Sequence, residues 1–203
     1  MVSGVVYSIG TNWIDRCAIA QTYGYRRKRP CLPSSLIRKT IFDRTGLFAE
    51  DRRAGYDAAW LLHLKYLGIT RGVNQHAVVE YIGVNFASSL SHLFLKSMRY
   101  AKPSVGLPGY YIPYVYAVLS FIFAATILAA PTWALLYFLV YFGARTFAIP
   151  VLKSRSIVFF SENPIAAMLG SGLVGSIMDC GRVLGTWQGI HFRFLALARE
   201  GRR

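Results

Sequence analysis

Hydrophobic and polar positions divide the chain into a mixed first half and a largely apolar second half. In the first half, a β-branched apolar run at residues 2–9 predicts a strand, and a similar run at residues 77–84 predicts another. Helical spacing of apolar residues predicts helices at residues 56–67 and 88–100. Residues 1–105 are therefore expected to form an α/β unit.

Shorter segments between these elements carry turn and loop signals. Residues 26–30 (Arg-Arg-Lys-Arg-Pro) predict a basic loop, and residues 32–35, which hold one Pro and two Ser, predict a second loop. Residues 39–45 predict a helical turn that Gly46 closes. Residues 12–25 are mixed in polarity and compatible with a helix.

The second half, residues 106–203, has the pattern of a membrane region. Residues 110–130 carry no charge, and at about 1.5 Å per residue they can cross a hydrocarbon core of about 30 Å. Residues 132–152 form a second apolar stretch, and the short turn at Pro131 predicts an antiparallel hairpin. Arg145 lies inside this stretch, and we expect its side chain to snorkel to the interface, with a lipid-phosphate contact as the alternative.

A third apolar run follows, with an Asn-Pro pair that suits a helix start at residue 164. Because the tail beyond it is basic, an interfacial or re-entrant helix over residues 164–190 is favoured, with a third membrane span as the alternative. Lys and Arg flank the hairpin on both sides, which predicts that both flanks lie in the cytoplasm. We therefore expect an integral protein of the inner (cytoplasmic) membrane, with its first half and its carboxy-terminal tail in the cytoplasm.

Composition supports a membrane partner. The chain has 23 Lys and Arg against 9 Asp and Glu, a formal net charge of +14, and 54% hydrophobic residues. Beside long apolar runs, such an excess of positive charge favours anionic membrane lipids over nucleic acid. Three cysteines without a Cys-x-x-Cys spacing indicate neither a disulfide framework nor a zinc site. Phosphate-binding glycine loops, zinc-protease motifs and nucleophile elbows are absent from the sequence.

An ordered series of short motifs runs through residues 31–68. In chain order the motifs are Pro33-Ser34-Ser35, Ile37-Arg38-Lys39, Ile41-Phe42-Asp43, Thr45-Gly46-Leu47-Phe48 and Gly55-Tyr56-Asp57, followed by an apolar helix. The series resembles the second half of the GT-A catalytic domain of family 2 glycosyltransferases. The resemblance implies that Asp57 is the general base, with Tyr56 in place of the family's usual Glu, and that Ser34 and Ser35 line the acceptor path. From the residue alone, an Asp in a first helical turn is more often stabilised only by the helix dipole.

A second motif, Lys96-Ser97-Met98-Arg99-Tyr100, stands just before the first membrane run. It resembles the Gln-x-x-Arg-Trp motif of processive members such as cellulose and hyaluronan synthases, with Lys96 for Gln and Tyr100 for Trp. The resemblance implies that Arg99 steadies a diphosphate leaving group and that Tyr100 stacks on a sugar or nucleobase. A juxtamembrane basic and aromatic anchor explains the same residues without any catalytic role.

The family's Asp-x-Asp metal motif does not occur, so the resemblance covers only the acceptor side of the domain. We therefore expect the carboxy-terminal part of an inverting glycosyltransferase, which moves a sugar from a nucleotide-diphosphate donor to a membrane-associated or polysaccharide acceptor. We expect no cofactor in this fragment, since Mg²⁺ or Mn²⁺ belongs to the missing half. Expected partners are membrane lipids, a sugar or lipid-linked acceptor, and a partner chain that supplies the donor half, but no nucleic acid. The alternative is a non-catalytic membrane anchor or scaffold that binds a partner chain or anionic lipid.

Overall fold

A computed structural model describes residues 1–24, 27–48, 56–84, 87–107, 110–154 and 163–200. Gly55 of the acidic motif, Arg155 beside the hairpin and the tail end at 201–203 lie outside these ranges. The elements in chain order are β1 (Val2–Gly10), α1 (Trp13–Thr22), β2 (Arg29–Leu36), α2 (Lys39–Thr45), α3 (Tyr56–Tyr66), β3 (Gly72–Val84), α4 (Leu90–Ser104), α5 (Ile112–Ala129), α6 (Pro131–Gly143), a π-helical segment (Ala144–Ala148), α7 (Ile149–Ser154) and α8 (Pro164–Glu200).

The three strands form one small mixed sheet in the order β2-β1-β3. β1 is central: it pairs antiparallel with β2 and parallel with β3. Its side chains are the most buried of the sheet, and Val5 and Val6 are each 1% exposed. A β-branched run buried on both faces suits the central strand of such a sheet.

β2 occupies Arg29–Leu36, so the loop predicted at residues 32–35 is wrong, and the basic loop predicted at residues 26–30 is wrong at its last two residues. Residues 27 and 28 precede the strand without regular structure, and residue 26 lies outside the described part of the chain. Within the described part of the chain, β2 pairs on one side only, with β1, so it is an edge strand. Edge strands tolerate Pro, which has no N–H to donate, and β2 holds Pro30 and Pro33. An irregularity in the pairing with β1 takes up the extra residues: Ser3 faces Ser35, but Val5 already faces Pro30.

A hydrophobic core joins the first half of the molecule to α8. It contains Ile14, Cys17 and Ile19 of α1, Leu93 of α4 and Val174 of α8, all buried. The apolar stripe predicted on the helix at residues 88–100 therefore faces α8. α1, α4 and α8 therefore pack as one unit, while α2 and α3 pack on each other around Ile41, Trp60 and Leu64.

Within the described part of the chain, three helical stretches are long and apolar enough to cross a membrane: Ile112–Ala129, Pro131–Lys153 and Pro164–Leu195. The first two form an antiparallel hairpin in which Ala130 alone separates α5 from α6. The second continues through the π-helical segment into α7. At this level of detail the protein is what the pattern predicted: a small α/β unit followed by membrane-type helices.

The last helix, α8, is 37 residues long, or about 55 Å at 1.5 Å per residue, and outruns the predicted segment at 164–190. Gly170 packs against the side chains of Trp13 and Cys17 of α1, and Gly181 and Gly189 pack against the main chain of α4. A residue without a side chain lets two helix backbones approach closely. α1 and α4 therefore cover one side of α8 along much of its length.

Candidate functional site

Asp57 lies in the first turn of α3, which an aromatic cluster holds in place. Trp60, one turn further along, stacks on Phe42 with ring centroids 5.3 Å apart. Its indole Nε1 donates to Thr45 Oγ1 at 3.2 Å and to the carbonyl of Gly46 at 3.3 Å. Since Trp60 is 4% exposed, these contacts fix the start of α3 and place Asp57 at its exposed end.

Tyr23, just after α1, contacts Arg29 of β2 and lies within electrostatic reach of side chains on α3 and α4. The guanidinium carbon of Arg29 lies 3.8 Å from the centroid of the Tyr23 ring, a cation–π contact. The pKa of the Tyr23 hydroxyl is raised, first by its partial burial and also by the nearby negative charge of Asp57, which together outweigh the lowering by Arg29. Tyr100 and Cys31 lie close enough to add to the rise. One residue from each motif, Asp57 and Tyr100, therefore lies near enough to Tyr23 to influence the pKa of its hydroxyl.

The side chains of Arg99 and Tyr100 lie on the exposed face of α4. Tyr100 is 52% exposed, and the ammonium of Lys96 lies 6.0 Å from its ring centroid. Ser97 and Ala101, on the opposite face, are buried. α4 thus presents Arg99 and the Tyr100 ring to solvent, while its opposite face packs against α8.

Ser34 and Ser35 are half-buried at the irregularity in β2. Both hydroxyls donate to the carbonyl of Cys31, each at 2.9 Å. The Ser35 hydroxyl also lies 2.7 Å from that of Ser3 on β1, to which Arg71 donates. These hydrogen bonds stabilise the irregular part of β2 and place both serines beside Cys31. A role of Ser34 and Ser35 in lining an acceptor path stays a prediction.

Taken together, the cluster offers an exposed carboxylate, an exposed aromatic ring and several cations. The Nε of Arg29 is buried and has no hydrogen-bond partner among the described residues. A guanidinium with an unused donor can bind a phosphate or diphosphate oxygen. Within the described ranges, no group of three His, Cys, Asp or Glu side chains could hold a metal ion.

Sequence reasoning missed Tyr23 and Arg29. Arg29 was placed in a basic loop, and Tyr23 belongs to the mixed segment at residues 12–25, which matched no motif. Their partnership depends on β2 pairing beside the end of α1, and that is a tertiary arrangement. The basic run itself was the only signal available.

A second polar cluster is buried among the membrane-type helices, and it corrects the prediction for Arg145. Arg145 does not snorkel: it is 7% exposed and forms an ion pair with Asp179 of α8. The Asp179 carboxylate also accepts hydrogen bonds from the hydroxyls of Tyr116 and Tyr141, at 2.9 and 3.0 Å. Arg182 donates to the same carboxylate at 3.0 Å. A buried charge is tolerated when it is paired and hydrogen-bonded in this way, and that need explains why Arg145 turns inward.

Gln21, near the end of α1, connects this cluster to the first half of the molecule. Its side-chain amide donates to the carbonyl of Arg145 at 2.5 Å and to the Ser171 hydroxyl at 2.8 Å, and its oxygen accepts from Arg145 at 3.0 Å. The ammonium of Lys153 donates to the Gln21 carbonyl at 2.6 Å. The end of α1 is therefore fixed to both the hairpin and α8.

The chain matches no family model, no curated protein and no solved structure. The functional interpretation therefore rests on the geometry around Tyr23 and on the motifs that contribute side chains near it.

Proposed function

We propose that this chain is the acceptor-side, carboxy-terminal part of an inverting GT-A glycosyltransferase of family 2. It serves the transfer of a sugar from a nucleotide-diphosphate donor to a membrane-associated or polysaccharide acceptor. The observation that supports this proposal is that Asp57 and Tyr100 both lie near enough to Tyr23 to raise the pKa of its hydroxyl. The two residues belong to separate motifs, and each motif resembles the same family. If both motifs serve one active site, the two residues must lie near each other.

In this mechanism Asp57 is the general base. The acceptor hydroxyl loses its proton to the carboxylate as its oxygen attacks the anomeric carbon, on the face opposite the departing nucleoside diphosphate. The rigid start of α3 suits this role because a base must be held within hydrogen-bond reach of the proton that it takes. Negative charge develops on the departing diphosphate, and the guanidinium groups of Arg29 and Arg99 are suited to stabilise it. Tyr100 supplies an aromatic face for the sugar or the base.

The sheet supports the proposal that further structure completes the site. β3 is 13 residues long, and among the described residues it pairs on one side only, with β1. Its neighbouring residues Val78 and Val79 are 42% and 45% exposed, and neighbours on a strand point to opposite faces. Both faces and the outer edge of β3 are thus uncovered, and such an edge is a template for additional strands. The donor-binding half, with its Mg²⁺ or Mn²⁺, is proposed to add here, from the same polypeptide or from a partner chain.

The proposal also includes the orientation in the membrane. Lys102 precedes the hairpin and Lys153 closes it, so the positive-inside rule places the first half in the cytoplasm, on the inner membrane. Since α1 and α4 cover one side of α8, an interfacial position of α8 agrees with this placement better than a third span does.

The test is sugar transfer by membranes that contain the complete enzyme, meaning this chain with its donor half. Asp57→Asn keeps the size and the helix-start hydrogen bonding but cannot take the proton, so we expect transfer to fall by about 10²–10⁴-fold. Binding of the nucleotide sugar should stay nearly unchanged. Asp43→Asn on α2 removes another exposed carboxylate and is the matched control, with a rate within about twofold of wild type.

Equal transfer rates for wild type and Asp57→Asn would remove Asp57 from the mechanism. The chain alone gives a second measurement: calorimetry should detect no binding of a nucleotide sugar in the micromolar range, with or without Mn²⁺. Tight binding there would mean that the donor site lies within this chain, and the proposed division of the domain would be wrong.

The alternative function is a non-catalytic anchor or scaffold. The uncovered edge of β3 favours it, because the same edge could hold a partner chain that has its own active site. Under this alternative, Asp57→Asn and Asp43→Asn behave alike in every assay, while a Pro placed in β3, such as Val79→Pro, releases the partner.

A further inference from the structure

A cavity of about 560 Å³ lies between α5, α6 and α8. Its wall is largely apolar, with Ile112, Val115 and Leu119 from α5 and Phe138 from α6. Cavities that bind small molecules typically measure about 300–1,000 Å³ and are lined mostly by apolar side chains with few polar groups. The cavity lies among membrane-type helices, where a hydrocarbon chain is the most abundant ligand.

The polar part of this wall is the buried cluster of Arg145 and Asp179, both of which line the cavity together with Tyr116 and Tyr141. The Asp179 carboxylate accepts hydrogen bonds from all three neighbouring side chains and from Arg182. A carboxylate has about four acceptor positions, so Asp179 has no remaining capacity to accept further donors.

Charge and hydrogen bonding in the cluster are nevertheless incomplete. Two guanidiniums, those of Arg145 and Arg182, face the single negative charge of Asp179, which leaves an excess of one positive charge. The Nε of Arg145 is buried and has no hydrogen-bond partner in the part of the chain that the structure describes. A buried donor without a partner is costly, and an anion at this point would accept from it and would also balance the excess charge of the partly exposed Arg182.

We propose that the cavity binds a phosphate-headed lipid, with its phosphate at Arg145 and a hydrocarbon chain along the apolar wall. Free phosphate would satisfy the guanidinium but would leave the wall formed by Ile112, Val115 and Leu119 uncovered. A zwitterionic lipid would cover the apolar wall, but its headgroup would add a cation to a site that already has an excess of positive charge. The proposal does not depend on sugar transfer.

The experiment uses the full chain in micelles of an uncharged detergent, with phosphatidic acid carrying brominated acyl chains as the probe. Trp187 is the reporter, because its Nε1 donates at 3.1 Å to the hydroxyl of Ser120, which lines the cavity. Bromine quenches indole fluorescence at short range, and Trp133→Phe removes the other Trp of the membrane-type helices. Phosphatidic acid should bind about tenfold tighter than phosphatidylcholine with the same chains, because both headgroups carry a phosphate but only phosphatidylcholine adds a cation to a site with excess positive charge.

Two variants separate the headgroup from the chain. Arg182→Gln removes the excess charge but keeps the Arg145–Asp179 pair, so the preference for phosphatidic acid should fall to within about twofold, and Arg182→Lys should restore it. Val115→Phe fills the cavity and should weaken both lipids by about tenfold or more. Val118→Phe, on the outer side of the same helix and 56% exposed, is the matched control and should leave both titrations unchanged.

Equal affinity of the wild-type chain for the two lipids would overturn the proposal. A Val115→Phe titration that overlays that of Val118→Phe would do the same, and this comparison stands even if Arg182→Gln does not fold. Displacement of the brominated phosphatidic acid by millimolar inorganic phosphate would also overturn it, since the ligand would then be free phosphate and not a lipid.

Discussion

The contact between α4 and α8 depends on glycine, and Gly181→Ala measures that dependence. A methyl group at this position would lie 2.5 Å from the main-chain oxygen of Phe94 and 3.0 Å from the Cβ of Ser97. Carbon and oxygen approach to about 3.3 Å in the closest favourable contacts, so the helices must separate by about 0.8 Å. Gly185 and Gly189 continue the same row along α8 and meet the carbonyls of Met98 and Lys102, so the separation would affect the whole interface.

The expected size follows from three terms. Overpacking of a close contact costs about 1–3 kcal/mol. Separating the helices by nearly 1 Å also removes about a quarter to a half of the dispersion energy of each neighbouring contact. Ala is a better helix former than Gly by about 1 kcal/mol, which opposes these costs. We expect Gly181→Ala to lower the free energy of unfolding by about 2 kcal/mol net.

The assay is a denaturation titration in mixed micelles, followed by far-ultraviolet circular dichroism. Gly143→Ala is the matched control, because a methyl group at this position in α6 would meet nothing within 4 Å. This variant gains helix propensity without a clash and should be more stable by up to about 1 kcal/mol. If Gly181→Ala is as stable as Gly143→Ala, the close packing of α4 on α8 is refuted.

Two further stability predictions concern α1. Gln21→Leu leaves the buried donors of Arg145 short of an acceptor and should lower the free energy of unfolding by about 1–3 kcal/mol in the same titration, and an unchanged midpoint would contradict it. Burial raises the pKa of the Cys17 thiol from 9.0 to about 12. Since the unfolded chain loses this proton first, stability should fall by about 1.4 kcal/mol per pH unit between pH 9 and 12. Cys17→Ala should remove that component, and equal slopes for the two proteins would refute it.

Segments with a strong hydrophobic period were predicted well from the sequence. The helix at residues 88–100 and the apolar runs at 110–130 and 132–152 appear within a few residues of their predicted bounds. β2 was missed because its residues carry the local signs of a loop, and only pairing with β1 makes them a strand. Strand formation depends on the neighbour more than on the segment, so local pattern is a weak guide there.

The prediction for Arg145 failed for a different physical reason. A cation near the end of an apolar run can avoid lipid by snorkelling to the interface or by pairing with a buried acid. The sequence of the run does not distinguish these two outcomes. The partner that decides the matter, Asp179, lies 34 residues further along the chain, in a helix whose contact with the hairpin the pattern did not reveal. Long-range ion pairs of this kind are beyond what composition and periodicity can predict.

The packing also relates the candidate site to the membrane. Gln21 and Tyr23 are two residues apart at the end of α1, so the hydrogen bonds that fix Gln21 to Arg145 also restrict where Tyr23 can lie. Tyr100, which influences the pKa of Tyr23, lies on α4, whose opposite side packs against the glycines of α8. The cluster around Tyr23 is therefore held from both sides by helices that contact the hairpin or α8. Under the transfer that we propose, the acceptor would reach a site whose Tyr23 and Tyr100 belong to helices that contact the hairpin or α8, as a membrane-associated acceptor requires.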